Sequence, residues 1–88
     1  MFEWDEDKRD RNLAKHHLDF RDARLMFDGR PAVHLPATRR GEPRFVTVAA
    51  IEDRLYTLVW TWRGINRRLI SFRRSRYAEE KAYRQIHN

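Results

Sequence analysis

The sequence predicts a small α+β domain, and three observations carry that prediction. The chain has 88 residues, room for one domain with one modest core. Apolar residues make up 41% and aromatics 12%, including three Trp, which suits an ordered core and excludes a generic disordered chain. The hydrophobic period changes from helical spacing in the first third to strict alternation after Arg44, and returns to helical spacing after Ser75. The expected architecture is a single unit over 1–88. An antiparallel sheet, made of a three-stranded meander plus a short N-terminal strand, packs against two N-terminal helices and one C-terminal helix.

Each element follows from its residues. "FEW" at 2–4 is short and aromatic and reads as a brief strand. Asp5 is placed to cap a helix over about 6–17, with Glu6 and Asp7 at its positive end and Lys15, His16 and His17 at its negative end. Asp19 is a second N-cap, and Phe20, Ala23 and Phe27 recur at helical spacing before the stop at Asp28 and Gly29. "AVHL", between Pro31 and Pro36, has room for one edge strand, and "PATRRGEP" reads as a loop. "RFVTVAAI", "RLYTLVWTWR" and "NRRLISFRR" are three β-rich runs with turn-length separations. Ser75 can cap a last helix, which carries Ala78, Ala82 and Ile86 along one stripe.

Strand alternation assigns the faces of the sheet. Tyr56, Leu58, Trp60 and Trp62 share one face of the middle run, and Ile70 and Phe72 share one face of the last; these are expected under the helices. Thr61, Ser71 and Arg73 then look outward. Trp60, Trp62 and Trp4 are read as core, although indoles on an open face can also stack RNA bases.

Charge is unevenly distributed. Residues 1–28 carry six Lys/Arg against eight Asp/Glu, net −2, whereas residues 29–88 carry thirteen against five, net +8. The later two thirds can therefore attract phosphates or an acidic partner, and a merely solvated basic surface is the plain alternative. The absence of cysteine excludes disulfides and thiolate metal sites. The N-terminus is acidic with no apolar signal segment, and no apolar run approaches the roughly 20 residues of a membrane span. A cytoplasmic protein with no membrane partner is expected.

"FEWDEDKRDRNLAKH" followed by "DF" and, after a gap, "RRLISFRRSRYAEEKAY" resembles the BrnT family, the toxins of type II toxin–antitoxin modules. The family pattern falls on Phe2, Trp4, Asp5, Lys8, Asn12, Lys15, His16, Phe20, Arg44, Phe45, Ile70, Ser71, Arg73, Glu80 and Tyr83. His17 stands where the family commonly has Gly, and Ala49 or Ala50 where a strand commonly has another. A glycine at 17 would reach positive φ at little cost, so a different helix exit is expected. The resemblance implies a RelE-like fold, RNA cleavage and growth inhibition. It also implies neutralisation by a BrnA-type antitoxin with a ribbon-helix-helix DNA-binding domain, operator DNA being bound only through that complex.

Metal-free RNA cleavage needs a base for the 2′-OH proton, an acid for the leaving 5′ oxygen, and cations for the charge building on phosphorus. Arg73 is the first choice for the transition-state cation, because a guanidinium is always charged and grips phosphate with two donors. Arg44, Arg63, Arg67 and Ser71 are expected to bind RNA; for Arg63, Arg67 and Arg73 the plain alternative is phosphate binding or pairing with the antitoxin alone. His16 is the acid/base candidate, with adjacent Lys15 holding its pKa down, and its plain alternative is closing a helix end against the dipole. Glu80 and Tyr83 share a helix face and can reach the cleft, or can simply lock that helix by a salt bridge and a core contact. No metal or cofactor is expected: there is no H-E-x-x-H motif, and His16 and His17 point about 100° apart on a helix. The competing function is a nonenzymatic RNA- or DNA-binding module, or a protein-interaction module, that uses the same basic face.

Overall fold

A computed structural model describes residues 1–87. The chain begins with strand β1 (Phe2–Glu3) and helix α1 (Glu6–His16). The Asp5 carboxylate accepts the backbone N–H groups of Asp7 and Lys8, the cap its position predicts. α1 ends on His17, which lies in the left-handed region at φ 59° and sends its N–H to the Leu13 carbonyl. The different exit expected at this position is not found: histidine adopts the conformation that glycine takes more cheaply.

Asp19 caps the next element, a 3₁₀ helix over Phe20–Phe27, by accepting the Arg21 N–H. Four longer strands follow: β2 (Ala32–Arg39), β3 (Glu42–Ile51), β4 (Arg54–Arg63) and β5 (Asn66–Arg74). Helix α2 (Tyr77–Ile86) is the last element among the described residues. The strands form one sheet in the order β1-β5-β4-β3-β2. Every pair is antiparallel except β1 with β5, so the sheet is mixed where alternation predicted it antiparallel.

"PATRRGEP" is not a loop. β2 and β3 pair continuously from Ala32↔Ala49 to Arg39↔Glu42, leaving a two-residue turn at Arg40 and Gly41 with φ of 52° and 77°. Positive φ at both central residues matches the twist of a hairpin. Pro36 is tolerated because β2 is the outer strand, where a missing N–H breaks no second ladder. α2 starts one residue later than Ser75 predicts. Its N-cap is Arg76, whose N–H is held by the Glu79 carboxylate, while the Ser75 hydroxyl bonds Thr57 instead.

The largest departure is a β-bulge. Val59 pairs with Ser71, but Trp60 pairs with Leu69, so Ile70 is the extra residue on β5. Leu69 and Phe72, three apart, therefore both enter the core, and Ile70 leaves it. Simple alternation put Ile70 and Phe72 together because it cannot anticipate an inserted residue. The core is built from Phe20, Met26, Leu58, Trp60, Leu69 and Phe72. Trp60 is 4% exposed, as expected of a core residue; Trp62, expected beside it, is 46% exposed, set edge-on to Trp60 and facing the Arg67 guanidinium. Trp4 is half-buried, edge-on to Phe20.

The second sheet face is not left open, as the outward reading of Thr61 assumed. α2 packs on β2 and β3, its Glu79 binds the buried Thr57 hydroxyl, and His87 bonds the Ala32 carbonyl. α1 is fixed to the sheet by Asn12. The Asn12 amide accepts the Phe72 N–H and donates to the Phe72 and Leu18 carbonyls, continuing the edge pairing that β1 begins. A buried amide with all these partners carries no unsatisfied cost and sets the distance between α1 and β5.

Candidate active site

On α1, Lys8, Arg11, Asn12 and Lys15 recur at three- and four-residue steps and share one stripe. Asn12 anchors the stripe to β5, so the cations around it stand over the sheet. Lys8, Arg11, Lys15 and His16 together with Ile70 and Ser71 enclose a cavity of about 320 Å³. A second cavity of about 200 Å³ adjoins it, sharing Lys8 and Ile70 and adding Arg44, Arg63, Thr61, Glu42 and Arg68. The bulge is what places Ile70 between the two.

His16 is half-buried and lines the first cavity. Its pKa is lowered from the ordinary 6.5, first by burial and then by the charges of Lys15, Arg73, Arg76 and His17. A lowered pKa keeps the imidazole neutral at neutral pH, the form that accepts a proton.

Arg73 lies nearby, but its guanidinium is engaged. Both terminal nitrogens meet the Glu79 carboxylate, at 2.7 and 2.8 Å, and the pair is mostly buried. Burial would raise the Glu79 pKa, yet hydrogen bonds from Arg73, the Arg76 N–H and Thr57 outweigh it and hold the carboxyl at about 2.

The structure thus brings Lys15, His16 and Ser71 into one cavity and Arg44 and Arg63 into the next. It places three other candidates elsewhere. Arg67 is on the opposite face, its guanidinium 4.2 Å from the Phe27 ring centroid, 5.1 Å from Trp60 and 4.9 Å from Trp62. Glu80 pairs with Arg84 at 3.3 Å, and the Tyr83 ring lies against His87; neither lines the two cavities. Residue-type reasoning gave no role to Arg11 or Glu79. Arg11 was detectable, since 8, 11 and 15 is a helical stripe of cations; Glu79 was not, because nothing local pairs it with β5. Among the described residues, no group of three or more His, Asp or Glu gathers as a metal site.

The chain is a small α+β domain in which a helix and a sheet line one cationic groove, with the His16 imidazole at its wall. The sequence profile of the family described as ribonuclease toxin, BrnT, of type II toxin–antitoxin systems matches residues 4–79, and the chain belongs to that family. It is by that membership a ribonuclease toxin with a cognate antitoxin. No curated protein matches the chain by sequence. No helix among the described residues is long and apolar enough to cross a membrane.

Proposed function

We propose that the groove between α1 and β5 cleaves RNA without a metal ion, leaving a 2′,3′-cyclic phosphate end. The observation that carries this reading is the joint placement of His16, biased to its neutral form, with Lys8, Arg11, Lys15 and Ser71 around one cavity. In the proposed step the His16 imidazole takes the 2′-OH proton and the 2′ oxygen bonds to phosphorus. The P–O5′ bond breaks, and the 5′ oxygen takes a proton from the Lys15 ammonium. Lys8 and Arg11 offset the charge on the phosphoryl oxygens, and Ser71 offers them a hydroxyl donor.

Arg73 contributes here as a positioning residue. It fixes α2 through Glu79, and its charge adds to the burial and the Lys15 charge that lower the His16 pKa. Arg44 and Arg63 bind the RNA chain, whereas Arg67, Glu80 and Tyr83 support the fold. A RelE-like relationship, growth inhibition through translation, and a BrnA-type ribbon-helix-helix antitoxin that carries the complex to operator DNA complete the proposal; the family resemblance supports them.

The test is a long RNA incubated in EDTA with wild type and with a His16→Ala variant. Wild type is expected to cleave and leave cyclic phosphate ends, and the variant to lose roughly 100-fold or more in kcat, the scale of general acid–base catalysis. Cleavage restored only by added divalent metal contradicts the metal-free step. Intact RNA that still binds with steep salt dependence shifts the reading to a nonenzymatic binding module.

A further inference from the structure

We infer that the cavity around Arg44 is a second phosphate subsite, seating the phosphate next to the scissile one, so that the toxin discriminates RNA by length. The inference rests on the reading of the first cavity as the reaction site. Three observations carry it.

The two cavities are contiguous through Lys8 and Ile70, so a chain lying along the groove meets both. The charge in the second is largely uncompensated. Arg68 is answered by Glu3 at 3.0 Å, but Arg44 and Arg63 make no ion pair among the described residues, and Glu42 is the one carboxylate in the lining. Finally, the Nε of Arg44 is buried without a hydrogen-bond partner among the described residues. A guanidinium that has lost water along one edge gains more from an anion on its open edge. The planar fork of Arg44, with Arg63 two residues from Thr61 on the neighbouring strand, suits the bidentate grip of a phosphodiester. The Thr61 hydroxyl is already donated to the Pro43 carbonyl, so the recognition is by cations.

A dinucleotide has one phosphodiester and fills the reaction cavity alone. A trinucleotide has two and fills both. The experiment compares kcat/KM for tri- and dinucleotides, with wild type, Arg44→Gln, Arg63→Gln and a control, Arg54→Gln, that removes one exposed charge elsewhere. The same oligomers with 2′-deoxyribose, which cannot be cleaved, are titrated by fluorescence anisotropy, and circular dichroism checks each fold.

Wild type and Arg54→Gln are expected to prefer the trinucleotide by roughly tenfold or more, the effect of one charge-assisted hydrogen bond. Arg44→Gln and Arg63→Gln are expected to bring the ratio towards one. Cleavage with no length preference, or a preference that neither variant changes, overturns the subsite and leaves the ribonuclease reading standing. No cleavage of either oligomer, with tighter binding of the deoxy-trinucleotide that requires Arg44, upholds the subsite and overturns the proposed reaction. Equal binding of both deoxy-oligomers overturns the subsite.

Discussion

The strand β5 and the groove beside it treat positive charge in opposite ways. On one face Arg67 lies among the rings of Phe27, Trp60 and Trp62, and on the far end of the other face Arg73 is clasped by Glu79. Along the groove, by contrast, Lys8, Arg11, Lys15, Arg44 and Arg63 meet no such partner among the described residues, where Arg68 alone is paired. Charge answered within the molecule serves the fold, and charge left unanswered is available to a ligand. Five arginines in "RRLISFRRSR" are therefore not one basic patch. The bulge at Ile70 sorts them, because it reverses which side chains face the core halfway along the strand.

The comparison breaks most visibly at Arg73. Truncation to Ala leaves Glu79 buried without its cation, so Arg73→Ala is expected to lose about 3 kcal/mol in urea denaturation. The sign of its pH dependence follows from Glu79. The folded value of about 2 lies below the ordinary 4.5, so the pair's stabilisation is fully present above pH 4.5 and is lost as pH falls towards 2. The wild type is expected to lose stability over that window, and Arg73→Ala to lose less of it. A variant as stable as wild type but inactive would return Arg73 to the role of phosphate-binding cation.

Arg67 sharpens the contrast from the other face. Its Nε is buried with no hydrogen-bond partner among the described residues, and its cation faces aromatic rings rather than a carboxylate. Arg67→Met fills similar space and is expected to cost about 1 kcal/mol, the scale of a cation–π contact. The slope of log binding constant against log salt for single-stranded RNA is expected to stay unchanged in Arg67→Met, and to fall by about 0.7 in Arg44→Gln for one lost phosphate contact. An equal change in both variants would mean that RNA also reaches the aromatic face.

Much of this was legible in the residues. Asp5 and Asp19 declare their helices through capping chemistry, and the β3 to β5 runs declare theirs through alternation. His16 and Lys15 stood out as candidates by residue type and the family resemblance, helix-end closure being the plain alternative, and both line the first cavity. What stayed hidden was non-local. The bulge has no glycine to mark it, and β2 passes through Pro36, which reads as a break until the strand is known to be at the edge. The charge and the two-donor fork of Arg73 are visible in its residue type, but its partner Glu79 comes from the next element, with Thr57 from a third. A cation can be found in a sequence; whether it is already satisfied cannot.

The smallest expected effect belongs to His17, at the exit of α1. A non-glycine residue at φ 59° carries roughly 1 kcal/mol of strain, which glycine relieves, although glycine also loosens the unfolded chain. His17→Gly is therefore expected to stabilise the protein by about 0.5 kcal/mol and to raise Tm by a few degrees. The same change removes one of the charges that depress His16, so the His16 pKa moves upward, and with it the acid limb of the cleavage profile. The two readouts separate fold from function. A gain in Tm with an unmoved acid limb would show that His17 acts on the fold and not on His16; a loss in Tm would show that the His17 side chain stabilises the exit more than its backbone strains it.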